Sequence, residues 1–208
     1  MKLNMTAVLG VALACTLTHS AAQAQSSWFG AEKNSVYDKQ SVSFSKKYRP
    51  GEIIVSFSDR RLYHVTARGQ AMSYPIAVPR AQSRWQGTQR VTRKKVNPSW
   101  TPTASMRREN PKLPAFVPGG HPRNPMGVRA LYLGSTLYRI HGTDAPWTIG
   151  KNVSKGCIRM HNSHVVELYK RVKVGAKVKA TWKKYQVASI SSSSSSEKPI
   201  SSIFDTTN

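Results

Sequence analysis

His141 and Cys157, separated by fifteen residues, are the two side chains of this sequence best suited to nucleophilic chemistry. A cysteine attacks as its thiolate, so a catalytic cysteine needs a base or a cation nearby. Gly156, the residue before the cysteine, lacks a Cβ, which lets a substrate carbonyl approach the backbone closely. Sequence spacing does not give distance in space, so two interpretations stay open: a Cys–His catalytic pair, or a buried and inert thiol.

The same segment carries further polar side chains with alternative roles. Arg159 follows Cys157 by two residues, so on an extended segment both side chains share a face. A guanidinium there binds a carboxylate in bidentate fashion, or it forms an ordinary surface ion pair. Cys157, His161 and His164 form a C-x3-H-x2-H pattern that superficially resembles a zinc site. We favour the nucleophile for this thiol and expect neither a metal nor a cofactor.

Period-2 alternation of apolar residues dominates the elements that must position this pair. It predicts strands at residues 53–57, 62–65, 74–78, 131–133, 138–140 and 176–182. A turn around Gly69 joins the second and third of these strands into a hairpin. His141 therefore lies at the end of a strand, which can hold an imidazole rigidly over a neighbouring loop.

One principal helix is predicted just after Cys157. Its apolar residues recur at i, i+3, i+4 and i+7, and Asn162 or Ser163 can cap its start: Val165, Leu168, Tyr169 and Val172. The backbone N–H groups at a helix start favour negative charge on the preceding thiol. Residues 80–127 are rich in Pro, Gly and Arg and predict long ordered loops. The fold class is therefore mainly β with one principal helix (α+β).

Composition divides the chain into four segments. They are a signal peptide at 1–24, a polar arm or linker at 25–47, one domain at 48–185 and a Ser-rich flexible tail at 186–208. The short apolar run ends in Ala22-Gln23-Ala24, which is typical of a cleaved secretory signal. A retained anchor or a lipoprotein acylated at Cys15 are the alternatives. Export to the periplasm or cell envelope is expected, with no transmembrane span.

Charge and cysteine content limit the partners. The chain has 32 Lys+Arg against 9 Asp+Glu, a net charge of +23, which indicates an anionic partner or a merely solvated basic surface. Export argues against nucleic acid and favours carboxylate-bearing wall peptides or anionic lipid headgroups. Cleavage of the signal would leave Cys157 as the one cysteine, so an internal disulfide is excluded.

An ordered set of motifs resembles the L,D-transpeptidase catalytic domain, also called the YkuD domain. The similarity covers about Gly51 to Ala180 and rests on these segments: residues 51–65, 74–78, 98–103, 124–133, 138–143, 149–150, 154–160 and 167–178. The central motifs read "YRIHGT" at 138–143 and "SKGCIRM" at 154–160. The resemblance implies a β-sandwich-like catalytic fold.

The resemblance also implies roles for individual residues. His141 would be the general base and Cys157 the nucleophile that attacks the tetrapeptide stem of peptidoglycan, expels the terminal D-alanine and forms a thioester. An amine from a second stem would then complete a 3→3 cross-link, or the acceptor would belong to an envelope protein. Carbapenems would acylate the same thiol. Six further residues would shape the oxyanion site or bind substrate: Ser154, Lys155, Gly156, Arg159, Gly142 and Thr143.

Two residues depart from the family pattern, and two other functions stay open. Lys155 stands where many members have histidine, so a contact of that histidine near the oxyanion is not expected here. Pro79 stands where relatives often carry glycine, which stiffens the chain into Arg80. The alternatives are an L,D-carboxypeptidase or other hydrolase on the same scaffold, with water as acceptor, and a non-catalytic wall-binding module.

Overall fold

The alternating segments form strands in the computed structural model, which describes residues 38–190. These residues form eleven strands: β1 (Gln40–Ser43), β2 (Ile53–Ser56), β3 (Arg61–Ala67), β4 (Gln70–Pro75), β5 (Val78–Pro79), β6 (Gly87–Val96), β7 (Arg129–Leu133), β8 (Arg139–His141), β9 (Asn152–Ser154), β10 (Ile158–Arg159) and β11 (Lys177–Thr181). They also form helices α1 (Ala104–Glu109) and α2 (Asn162–Arg171). The predicted signal peptide and Cys15 lie outside the described residues.

Nine of these strands are hydrogen-bonded in the order β1-β4-β3-β2-β11-β6-β7-β8-β10, and β5 pairs with β9. Strand β6 joins the two halves of the larger sheet, since residues 87–90 pair with β11 and residues 91–96 pair with β7. Val55 of β2, Leu131 of β7 and Leu168 of α2 are buried in one apolar cluster, so the two halves share a core. The predicted fold class, mainly β with one principal helix, is confirmed.

Strand β2 is buried on both faces because it lies between two apolar clusters. Ile53 and Val55 belong to the large cluster that includes α2, whereas Ile54 faces a second cluster. Three rings pack together in the second cluster with centroids 4.8 to 5.6 Å apart: Phe44 stacks on Tyr63, and Tyr185 packs against both at a tilt. A strand that is apolar on both sides is typical of the middle of a sheet.

Both ends of the domain extend further than the composition predicts. Strand β1, within the predicted polar arm, pairs antiparallel with β4. The chain after the last strand then runs along β1, where Ala188 O accepts a hydrogen bond from the Ser43 N–H and Ile190 N–H donates to Ser41 O. The prediction failed here because an edge strand needs few apolar side chains; Val42 is the buried one within β1.

The expectation of long loops through residues 80–127 is wrong in two places. The ten-residue strand β6 and the short helix α1 both lie in this segment. Strand β6 shows no apolar alternation because Val91 is its one buried side chain. Its cations cover aromatic rings, with Arg93 4.1 Å from the ring centroid of Tyr132 and Lys94 4.2 Å from that of Tyr169.

Helix α2 confirms the predicted helix, but the predicted cap is wrong. The residue at the N-cap position is His161, and its side chain makes no capping hydrogen bond. Asn162 is already the first residue of the helix, and its side chain binds a different segment, described below. Within residues 38–190, no helix is both long and apolar enough to cross a bilayer.

Truncation of Phe44 tests whether the second cluster holds the arm to the sheet. We expect Phe44→Ala to lower the free energy of unfolding by about 3 to 5 kcal/mol, because three ring contacts are lost at once. Phe116→Ala is the matched control, since its ring is 55% exposed and its loss should change stability by less than about 0.5 kcal/mol. Urea denaturation measures the free energy of unfolding of both variants. Equal losses would contradict the conclusion that the Phe44 ring holds the arm to the sheet.

Candidate active site

The pairing of β8 with β10 brings the predicted histidine and cysteine to the same place. The two strands run parallel, with Ile158 opposite Ile140 and Arg159 opposite His141. Successive side chains of a strand point to opposite faces. Because both isoleucines are fully buried in the large apolar cluster, Arg159 and His141 face the other way.

The same alternation places Arg139 beside His141 and Cys157 beside Arg159, so that these four side chains line one cleft. The cleft has a volume of about 630 Å³. Its remaining walls come from β7, from the loop that carries α1 and from the turn before β10. Arg139 was not predicted from the sequence, although its i, i+2 relation to His141 on a strand was a sufficient signal.

His141 is held as a neutral imidazole with a defined tautomer. Its side chain is 3% exposed, and Nδ1 donates a hydrogen bond of 2.6 Å to the carbonyl oxygen of Gly142. Burial, together with the positive charge of Arg159, lowers the pKa of His141 to about 3. With Nδ1 carrying the proton, Nε2 of the neutral ring presents a lone pair. The ring is therefore neutral at pH 7 and keeps one unprotonated nitrogen.

Cys157 is half-buried and holds its proton in this conformation. Burial raises the pKa of the Cys157 thiol, and hydrogen bonding and positive charge from Arg139 oppose that rise. Among residues 38–190, the thiol donates a hydrogen bond to Leu137 O, with Sγ 3.5 Å away, and accepts from Arg139; neither partner is the imidazole. The structure thus brings the two predicted residues into one cleft without a direct bond between them.

The turn before Cys157 depends on the small size of Gly156. This glycine has a φ of +123°, and a Cβ on it would lie 2.5 Å from the ring of Tyr138. The ring is fixed by Trp85, which stacks on it at 4.6 Å and donates a 2.8 Å hydrogen bond to Gly156 O. Ser154 Oγ donates to the Cys157 carbonyl, so its side chain shapes the same turn.

Asn162 holds the segment that follows the imidazole. Its Oδ1 accepts a hydrogen bond from the Thr143 N–H at 3.1 Å, and its Nδ2 donates to Thr143 O at 3.0 Å. A Cβ on Gly142 would lie 2.1 Å from the same Oδ1, so a side chain there would displace the amide that holds Thr143. Thr143 is thus held through its backbone, and its Oγ1 also accepts a hydrogen bond from the Ala145 N–H at 3.0 Å. Sequence reasoning missed this role of Asn162 because helix capping was the simpler explanation.

Lys155 forms an ion pair and is not a free charge in the cleft. Its Nζ lies 2.6 Å from Glu109 Oε1, at the end of α1, and the other oxygen of Glu109 pairs with Arg80 at 3.1 Å. Hydrogen bonds from these two cations lower the pKa of the Glu109 carboxyl. The pair ties α1 to the turn that carries the thiol. The ion pair could not be predicted from the sequence, because it depends on where α1 lies in the fold.

Arg159 is available to a ligand. It lines the cleft, half-buried, and forms no ion pair within the described part of the chain; Asp144 acts on it only at longer range. Burial of an unpaired guanidinium lowers its pKa and leaves its donors for an anionic group. This arrangement favours carboxylate binding over the alternative of a surface ion pair.

The family model of the L,D-transpeptidase catalytic domain, YkuD, matches residues 50–179. The chain belongs to this family. It is 43% identical over 135 residues to the probable L,D-transpeptidase ErfK/SrfK of Escherichia coli, covering 61% of this chain and 42% of that protein. It is 41% identical over 135 residues to the probable L,D-transpeptidase YbiS of the same organism, covering 61% and 43%. The chain therefore spans less than half the length of these relatives.

Among solved structures, the L,D-transpeptidase from Mycobacterium smegmatis aligns with a TM-score of 0.48 and 18% identity, over 62% of this chain and 57% of that chain.

In the L,D-transpeptidase domain of this chain, His161 and His164 lie with ring centroids 5.3 Å apart at the start of α2. Within residues 38–190, no three His, Cys, Asp or Glu side chains are grouped to hold a metal ion.

Alanine at position 156 tests the contact with Tyr138. Gly156→Ala and Gly175→Ala both place a side chain at positive φ, which costs about 1 to 2 kcal/mol at either position. A Cβ at Gly175 meets no atom within 4 Å, so we expect Gly156→Ala to lose about 1 to 3 kcal/mol more through the clash. Chemical denaturation compares them. Equal losses would show that the ring does not restrict the turn.

The pH dependence of alkylation tests the electrostatics of Cys157. Because burial raises the pKa of the thiol, its reaction with iodoacetamide should increase only above pH of about 8.5, the ordinary thiol value. Arg139→Gln removes a positive charge that lowers this pKa, so its profile should shift to still higher pH. Arg108→Gln, an exposed residue outside the cleft, is the control. A shift to lower pH in Arg139→Gln would contradict the assignment.

Proposed function

We propose that this protein is an exported L,D-transpeptidase that acts on peptidoglycan stem peptides. The observation that carries the proposal is the cleft shared by His141, at the end of β8, and Cys157, immediately before the parallel strand β10. Membership of the L,D-transpeptidase family supports acyl transfer as the reaction class. Residues 1–24 have the pattern of a secretory signal, which supports action in the periplasm or cell envelope.

In the first half-reaction, Sγ turns from Leu137 O toward the carbonyl carbon of the L-centre of the diamino acid at stem position three. His141 Nε2 accepts the thiol proton as the carbon–sulfur bond forms, because burial disfavours a resting ion pair of thiolate and imidazolium. The backbone N–H of Cys157 stabilises the tetrahedral oxyanion, and that of Gly156 does so after leaving Ser154 Oγ, to which it donates at 3.4 Å in the resting structure. The carbon–nitrogen bond then breaks, and the imidazolium returns the proton to the departing D-alanine amine, leaving a thioester.

In the second half-reaction, the amine of an acceptor attacks the thioester carbonyl. His141 takes a proton from that amine and gives it to the sulfur as the carbon–sulfur bond breaks. The product is a 3→3 cross-link where the acceptor is a second stem, or an attached protein where the amine belongs to an envelope protein. Because the thioester retains the energy of the original amide bond, the cycle needs neither ATP nor a metal.

The cleft supplies the groups that orient an anionic stem peptide. Arg159 and Arg139 flank the thiol, and each guanidinium can bind a stem carboxylate in bidentate fashion. Ser154 lines the cleft beside them. Lys155 acts through Glu109, holding α1 against the thiol-bearing turn, and does not replace the family's histidine near the oxyanion.

Incubation of the purified protein with tetrapeptide muropeptides tests the proposal. The products are separated by chromatography and identified by mass spectrometry. We expect free D-alanine and cross-linked dimers from the wild type and neither from Cys157→Ala. Tripeptide monomers without dimers would assign the hydrolase instead, because water would then be the acceptor. Absence of any product, or the same products from Cys157→Ala, would contradict the catalytic assignment.

A further inference from the structure

A basic groove, separate from the active-site cleft, lies at the end of the sheet where the parallel strands β2 and β11 begin. Its volume is about 940 Å³, and it shares no lining residue with the cleft. Among the described residues that line it, Glu52 is the one acidic side chain. Seven are cationic: Lys47, Arg49, Arg90, Arg171, Lys173, Lys177 and Lys179.

Most of this positive charge is not neutralised by the protein. Lys177 lies 3.6 Å from Glu52, and Arg171 lies 3.4 Å from Glu167. Four other cations of the groove form no ion pair within residues 38–190: Lys47, Arg49, Lys173 and Lys179. A concave surface with excess charge of one sign concentrates ions of the opposite sign. The groove is therefore an anion-attracting surface apart from the site of chemistry.

Strand geometry arranges part of this charge as a regular row. Val178 and Ala180 of β11 point into the core, so Lys177 and Lys179 share the outer face. Residues two apart on a strand are separated by about 7 Å. Arg90 of β6 stands directly opposite Lys177. Three cations spread over two adjacent strands fit a chain of anionic groups better than a single small anion.

The lining also discriminates between kinds of polyanion. Tyr48 is its aromatic residue, and that ring is 6% exposed and stacked on Phe44 at 5.5 Å, so it offers no platform for a nucleic acid base. A concave groove also fits a bilayer surface poorly, because a bilayer presents its headgroups in a plane. We propose that the groove binds a linear anionic polymer through its phosphate or carboxylate groups.

Calorimetric titration with two polymers tests the proposal and identifies the anionic group: long-chain polyphosphate and polygalacturonate. The groove variant carries Lys47→Gln, Lys173→Gln and Lys179→Gln. The control variant removes the same charge from three exposed lysines outside both cavities, with Lys95→Gln, Lys112→Gln and Lys184→Gln. At about 50 mM salt we expect the groove variant to bind about tenfold more weakly than the control. The slope of log K against the logarithm of the salt concentration should be shallower by about two.

Binding of either polymer with this dependence on the groove supports the proposal. Equal binding by the groove and control variants, or no binding by the wild type, would overturn it. Groove-dependent binding of only oligothymidylate or phosphatidylglycerol vesicles would overturn it as well, because the partner would be of another class. The assay does not use the thiol, so Cys157→Ala should bind as the wild type does, whatever its effect on acyl transfer.

Discussion

The parallel pairing of β8 with β10 is the constraint on which the candidate active site depends. Ile140 and Ile158, opposite each other, are fully buried, and each buried side chain of this size contributes about 1.5 to 3 kcal/mol. A slip of one residue would turn the Cys157 side chain into the core and an isoleucine into the cleft. Hydrophobic burial on one face thus determines which polar groups meet on the other, and the chemistry follows from that packing.

The environment of the site favours neutral groups in the resting enzyme. Burial lowers the pKa of His141 and raises that of Cys157, so in the proposed mechanism proton transfer accompanies attack and does not precede it. The positive charges of Arg139 and Arg159 line the same cleft, where the proposed substrate would bind. Rigid contacts hold both partners in place: Asn162 binds the backbone after the imidazole, and the stacked ring of Tyr138 limits the turn before the thiol.

Much of this arrangement could be predicted from local sequence patterns. Alternation predicted β2, β3, β7, β8 and β11, and helical spacing predicted α2; the strand predicted at 74–78 overlaps only the end of β4 and the start of β5. Strands β1 and β6 escaped prediction because their side chains are mostly polar and their stability comes from the ladders of neighbouring strands. The ion pair of Lys155 with Glu109 joins residues 46 positions apart in sequence, so no local pattern encodes it. Net charge indicated an anionic partner, but only the fold shows that seven cations line a groove away from the cleft.

The rate of Cys157 acylation by a carbapenem, followed by intact mass across the pH range, tests most directly whether the imidazole acts on the thiol. His141→Gln should react at least about a hundredfold more slowly than the wild type at neutral pH, because the general base is lost. Its unfolding midpoint in urea verifies that it is folded. A folded His141→Gln protein that acylates at the wild-type rate would contradict the account, since the imidazole would then have no part in the reaction.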